Sequence, residues 1–206
     1  MSAVLELKQE APREVWLFSR DDSTRRKVFL TTAQEDEILN TGRFEIVRGE
    51  LQERTMPSPT HGRIQAELAT ELRNFVKRNK LGIIYTETVF QLTDDLSRVP
   101  DVAFLSFERF PETGETEGRF YLAPDLAVEI VSPNDKLQEV TEKITEYFAA
   151  GVREVWLVEP NRKVLTVYHT PLKTTSFAIG DKLSDSAVLS ALQLDLNEIF
   201  ELPKRS

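Results

Sequence analysis

The run Asp125-Leu126-Ala127-Val128-Glu129-Ile130-Val131 constrains this chain more than any other stretch. It is short and nearly continuous in apolar residues, the pattern of a strand too hydrophobic for a sheet edge. Ser132-Pro133-Asn134-Asp135 then starts a helix that ends near Gly151. A buried strand running straight into a helix points to a sheet with helices packed on it.

The rest of the chain fits that plan. Val15–Phe18 and Val28–Leu30 read as two short strands in an N-terminal appendage, residues 1–30, ahead of a main domain, residues 31–206. Thr32 with Glu35 has the form of a capping box and opens a helix that Gly42 stops. Phe44–Val47 and Leu51–Arg54 form a hairpin around Arg48-Gly49, ended by Pro57 and Pro59. A long helix spans about 60–80, with Ile64, Leu68, Leu72, Phe75 and Val76 as its apolar stripe and Gly82 as its stop. Strands follow at about 83–90 and 102–107, then a polar loop at 108–120. Val155–Val158 and Val164–Tyr168 flank Pro160-Asn161-Arg162 as a second hairpin, and the tail carries short apolar segments. The order predicts a mixed α/β (α+β) fold with one central sheet covered by helices.

Composition narrows the chemistry. The chain has 206 residues, 40% hydrophobic and 29% charged, enough for one ordinary domain with a sizeable core. There is no cysteine, which removes disulfides, thiolate nucleophiles, iron–sulfur clusters and Cys-based zinc sites. With two histidines, His61 and His169, one chain cannot build a three-His metal site. No apolar run approaches the roughly 18–20 residues of a membrane span, and the first residues lack a basic region followed by an apolar core, so a cytoplasmic protein without a membrane partner is expected. The net charge of −8 argues against tight, sequence-independent nucleic-acid binding unless local cations intervene. Arg63, Arg73, Lys77, Arg78 and Lys80 on or after the long helix, and Arg20, Arg25, Arg26 and Lys27 near the N-terminus, are such patches, or simply solvated surface.

Charged residues that the pattern forces inward are the informative ones, because an unpaired buried charge is costly. Glu129 sits among apolar neighbours and needs a cation, whether in a structural ion pair or a functional site. Asp101 follows Pro100 and opens the strand Val102-Ala103-Phe104-Leu105, as a turn residue or as a ligand. Lys143 lies about 40° from Tyr147 around its helix, on the border of the buried stripe, where a lysine either snorkels or reaches the sheet. Lys136 lies near the same border, and Glu139, Glu142 and Glu146 take the solvent side. His61 and Gln65 fall on the apolar face of the long helix, with a capping role open to His61. Two inward carboxylates and a lysine are able to hold a hard divalent ion, activate its bound water and stabilise charge on a phosphate.

At this point the residues resemble a known signature. Pro100-Asp101, followed by Glu129 within PDLAVEIVSP, looks like the PD-(D/E)XK nuclease motif. The chain is most similar to the Uma-type family of restriction-endonuclease-like bacterial proteins. The resemblance is carried by Arg43–Leu51, Ser58–Gly62, Val99–Phe104, Ala123–Pro133 and Lys143–Pro160, and it spans about Thr31 to Glu201. The standard signature places lysine two residues after the second acid; Val131 stands there, and the family's displaced lysine matches Lys143. The resemblance implies a restriction-endonuclease-like core, a central mixed sheet flanked by helices. It implies Asp101 and Glu129 as metal ligands, with the Ile130 backbone carbonyl as a third, and Lys143 as a catalytic group. Glu50 and His61 match other recurring family positions. The implied activity is Mg²⁺-dependent endonucleolytic hydrolysis of DNA phosphodiester bonds, with Mn²⁺ as a substitute and a homodimer as the cutting form. A catalytically inactive binding or assembly module, and a nuclease acting on RNA or branched DNA, are the alternatives.

Overall fold

The computed structural model describes residues 11–19, 23–116, 118–133 and 135–202. Residues 1–10 and 20–22 of the N-terminal segment, Arg20 among them, lie outside the described residues, as do Glu117, Asn134 and the last four residues.

The chain opens with β1 (Arg13–Phe18), β2 (Arg25–Leu30), α1 (Thr32–Leu39), β3 (Phe44–Val47) and β4 (Glu50–Glu53). It continues through α2 (Pro59–Asn79), β5 (Gly82–Thr86), β6 (Phe90–Thr93), β7 (Leu96–Arg98), β8 (Val102–Ser106) and β9 (Leu126–Ile130). It ends with α3 (Leu137–Ala149), β10 (Glu154–Glu159), β11 (Val164–Thr170), β12 (Lys173–Ala178), β13 (Lys182–Leu183), β14 (Leu194–Asp195) and α4 (Leu196–Phe200).

The central sheet has the order β12-β11-β10-β9-β8-β5. It is antiparallel except for β9 and β10, which run parallel and are joined through α3. One face carries Val102, Phe104, Leu126, Val128, Ile130, Trp156 and Val158 onto Ile64, Leu68, Leu72 and Val76 of α2 and onto α4. The other face carries Ala127, Val155 and Leu157 onto Ile144 and Tyr147 of α3. This is the expected mixed sheet flanked by helices.

A second six-stranded sheet, β2-β1-β4-β3-β7-β6, departs from the expectation of one central sheet. Its strands are three to six residues long, and those at its β1–β2 edge are largely exposed, so they read as local hairpins rather than core strands. The hairpin of β1 and β2 joins it through a parallel pairing of β1 with β4.

Local differences from the sequence expectations have identifiable causes. The capping box of α1 lies one residue earlier, with Thr31 as cap and Gln34 returning the bond at 3.0 Å, because Glu35 is buried against Arg119 at 3.1 Å. The single strand expected over 83–90 breaks at Glu87, whose φ of 49° turns the chain from the central sheet into the second one. Helix α2 stops at Lys80 in the left-handed conformation. Gly82 instead permits a close approach of two strands, since a Cβ there would sit 2.1 Å from the Leu105 carbonyl oxygen on β8. Helix α3 begins at Leu137, which is 82% exposed, so the apolar stripe expected there starts at Val140. Arg63 lies in no free basic patch; its guanidinium donates to the carbonyls of Ile199 and Phe200 at 3.0 and 3.2 Å and ties down the end of α4.

Candidate active site

Period-two alternation in β9 sets the site. Leu126, Val128 and Ile130 face α2, which leaves Glu129 facing α3. There the Tyr147 hydroxyl donates to Glu129 Oε1 at 2.6 Å and the Lys143 ammonium donates to Glu129 Oε2 at 3.2 Å. Lys143 and Tyr147 are one helical turn apart, so both meet the same carboxylate.

Asp101 arrives from the neighbouring strand. The β8–β9 ladder pairs Val102 with Val128, and one step further along that register sets Asp101 opposite Glu129. Asp101 Oδ2 accepts the Ile130 amide proton at 2.7 Å. Its Oδ1 lies 3.2 Å from His61 Nε2 and 3.4 Å from the Arg54 guanidinium. Ser58 caps α2 by accepting the His61 amide at 3.2 Å, which places the imidazole in the first turn, over the end of β8.

Asp101, Glu129, Lys143, His61 and Ile130 therefore line one cavity of about 440 Å³. Glu50 lines it as well, and pairs there with Arg25 at 3.2 Å. Glu146, expected on the solvent side, instead turns inward to Arg98, with Arg98 Nε at 3.0 Å, because the second sheet covers that flank of α3.

Sequence reasoning missed Glu45, Arg54, Glu87, Arg98 and Tyr147 as groups of the site. Glu45 is buried on β3 and bonded to Lys143 Nζ at 3.2 Å, Arg98 Nη1 at 2.8 Å and the Val99 amide at 3.1 Å. Glu87 pairs with Arg54 and accepts from Gln65 Nε2 at 2.7 Å. His61, Glu87 and Asp101 bring three potential ligand atoms within 4.8 Å of one another, with the Arg54 guanidinium already bonded to both carboxylates. The alternation Phe44-Glu45-Ile46-Val47 does hold a signal for Glu45, a carboxylate in a strand otherwise apolar; Glu87 carries none, since its position depends on the turn between β5 and β6.

The electrostatics follow from crowding. Burial pushes the Glu129 carboxyl above its ordinary value, Asp101 and Glu45 push further, and Lys143 and Tyr147 oppose them. Burial would also raise Glu45, but Lys143, Arg98 and Arg54 hold it well below the usual carboxylate range. Burial disfavours protonation of His61 and of Lys143, yet Asp101 and Glu87 raise the one and Glu129 and Glu45 raise the other. Burial and the two glutamates drive the Tyr147 phenol well above its normal value, so it stays a donor.

The mixed sheet between α2 and α3, with an acid at the start of one central strand and an acid inside the next, defines a protein of the restriction-endonuclease-like fold. Residues 30–197 match the model of the Uma2 family, described as "putative restriction endonuclease", and the chain belongs to that family. It is similar to the crystal structure of a "putative nuclease belonging to DUF820" from Anabaena variabilis, with 27% identity, a TM-score of 0.68, and coverage of 76% of this chain and 89% of that one. No curated protein matches. Among the described residues, no helix is long and apolar enough to cross a membrane.

Proposed function

We propose that this protein is a Mg²⁺-dependent endonuclease that hydrolyses DNA phosphodiester bonds, with Mn²⁺ able to substitute. One arrangement carries the reading: Asp101 and Glu129 on adjacent central strands, with Lys143 on Glu129, all in one cavity. The donor set fits a hard divalent ion. Both acids offer oxygen, and Glu129, raised first by burial and then by Asp101 and Glu45, is the kind of carboxylate that a cation relieves. Held by Asp101, Glu129 and the Ile130 carbonyl, the ion would supply a bound water of lowered pKa and positive charge to offset that of the phosphate.

The chain's own groups do the rest. His61 keeps a proton on Nε2 facing Asp101 Oδ1 and fixes that carboxylate. Tyr147 fixes Glu129 Oε1. Lys143 presents an ammonium beside the acids, placed to stabilise charge developing on a phosphate oxygen. Exposed Arg25, Arg43, Arg48 and Lys136 around the cavity are each paired with a glutamate, Glu50, Glu53, Glu142 and Glu139, and the lining carries more acids than cations, so the positive charge that a phosphate backbone needs would come from the bound ion.

Plasmid DNA incubated with Mg²⁺ is nicked or linearised by the wild type. Asp101→Ala, Glu129→Ala and Lys143→Ala lose that activity, and EDTA abolishes it. Cleavage at wild-type level in both acid variants means a contaminating nuclease and removes the proposal. An inactive nuclease-fold binding module has one observation in its favour: each acid already has a protein cation, Arg54 at Asp101 and Lys143 at Glu129. Calorimetry showing no Mg²⁺ or Mn²⁺ binding at millimolar concentration selects that module. Cutting both strands calls for a symmetric pair, so light scattering is expected to give a dimer mass; a monomer at micromolar concentration refutes the pair.

A further inference from the structure

We infer that Glu45 is the positioning residue for Lys143: the second sheet delivers a carboxylate that holds the amine in the site. The inference rests on the endonuclease reading above and adds a residue that the reading does not use.

A lysine two residues after Glu129 would be aimed by the strand itself, because positions i and i+2 share a face. Val131 stands there. Lys143 comes instead from α3, on a flexible four-carbon stem, and such a stem loses much rotamer freedom when fixed. Something must hold it. Its ammonium lies 3.2 Å from Glu129 Oε2 and 3.2 Å from Glu45 Oε1. Glu129 is not a free holder, since its carboxylate is proposed for the divalent ion. Once Glu129 is committed to a cation, Glu45 is the carboxylate that remains with Lys143.

Glu45 is itself firmly held. It is 4% exposed and sits on β3, in the second sheet. Both of its oxygens are fixed: Oε1 accepts the Val99 amide at 3.1 Å and Oε2 accepts from Arg98 Nη1 at 2.8 Å. Arg98 also grips Glu146 on α3, three residues beyond Lys143, with Nε at 3.0 Å. The ring Lys143–Glu45–Arg98–Glu146 therefore clamps one flank of α3 to the second sheet at two points. The bond to Lys143 places Glu45 beside the proposed reacting groups, where it acts through the amine.

The test uses the full chain and three variants: Glu45→Gln, Glu129→Gln and Lys143→Met. Acetylation of Lys143 by an N-hydroxysuccinimide ester is followed by mass spectrometry. The two Gln variants each remove one charge at the same distance from the amine, so an excess in Glu45→Gln reports lost holding rather than lost charge. In millimolar Mg²⁺, where Glu129 is committed to the ion, Lys143 is expected to react several-fold faster in Glu45→Gln than in Glu129→Gln; equal or reversed rates overturn the inference. In plasmid cleavage, Glu45→Gln is expected to lower kcat by roughly 10- to 100-fold with KM within about twofold. Combined with Lys143→Met it adds no further loss, whereas an equal further loss assigns Glu45 a purely structural role. If Glu45→Gln does not fold, Glu45→Asp keeps the charge and shortens the reach, and its kcat falls several-fold; a wild-type rate in Glu45→Asp refutes the positioning role. Wild-type protein that binds Mg²⁺ by calorimetry without cleaving removes the endonuclease reading, and the acetylation contrast still decides whether Glu45 holds Lys143.

Discussion

Asp101 accepts the backbone amide proton of Ile130 at 2.7 Å, so the end of one central strand is pinned to the residue after Glu129 on the next. The two acids are thereby held in register by a bond that requires no charge, since an amide oxygen accepts the same proton. Asp101→Asn is expected to keep the fold and lose the ion. A ligand that binds the folded state alone stabilises it by about 2.7 kcal/mol at 100 times its Kd. Scanning calorimetry should therefore show wild-type melting rise with added Mg²⁺ and Asp101→Asn melting stay flat. A full Mg²⁺-induced rise in the variant would place the ion elsewhere.

Glu129→Gln separates stability from activity. The raised Glu129 pKa means that the fold favours the protonated form, so its contribution to stability is largest at low pH and declines as pH rises through the folded value. At neutral pH the neutral amide therefore removes an unfavourable term along with the Lys143 bond. The melting temperature is expected to stay level or rise by about 2–4 °C, with plasmid cleavage abolished. A fall of more than about 5 °C would make Glu129 a structural ion-pair residue.

The central sheet was legible because its strands are apolar runs and its helices carry clear stripes: Leu126–Ile130 and the Ile64/Leu68/Leu72/Val76 face could be read from periodicity. Glu129 was legible as a charge inside an apolar run, whereas Asp101, at a strand start, and Lys143, on the border of the α3 stripe, were singled out by the resemblance to the nuclease signature. The second sheet was not, since β6 and β7 are four and three residues long and depend on pairing with β3 from far upstream in the chain. Arg119 shows the same limit. It sits in a polar loop by sequence, yet it is buried against Glu35 and Asp36 through contacts more than 80 residues apart.

Gly82→Ala tests the close approach of β5 to β8. Its Cβ would lie 2.1 Å from Leu105 O and 2.7 Å from Ser106 Cα, both backbone atoms that cannot rotate aside. Overpacking of this kind costs about 1–3 kcal/mol. Urea unfolding should show a midpoint lowered by that free energy divided by the m-value, and an unchanged midpoint would mean that β5 is free to move out.

Glu45 gives the fold an acid-sensitive element. Lys143, Arg98 and Arg54 overcome its burial and depress its pKa, so the stabilisation is complete above the ordinary value of 4.5 and is lost as pH falls below it. Glu45→Gln should therefore destabilise the protein at pH 7 by on the order of 1–3 kcal/mol. The gap between variant and wild type should narrow steadily in denaturation curves taken below pH 4.5. A gap constant with pH would assign the loss to packing rather than charge.

Arg54 occupies the space between Glu87 and Asp101, donating also to the Gly42 carbonyl at 2.8 Å. Its guanidinium is largely buried, which disfavours its charge, but Glu45, Glu87 and Asp101 together raise its pKa. Arg54→Met keeps the apolar stem and removes the cation, leaving Asp101 buried beside Glu87 without it. In EDTA the variant is expected to lose about 1.5–3 kcal/mol, the worth of hydrogen bonds to charged groups. With the guanidinium gone, His61, Glu87 and Asp101, whose ligand atoms lie within 4.8 Å of one another, face the gap with one nitrogen and two oxygen donors. Added Mn²⁺ should then restore most of the lost stability, a larger rise than it produces in the wild type. Thermal melts in EDTA and in millimolar Mn²⁺ check both halves: wild-type stability in EDTA would show that Arg54 neutralises nothing, and the absence of recovery would show that the three side chains cannot converge on an ion.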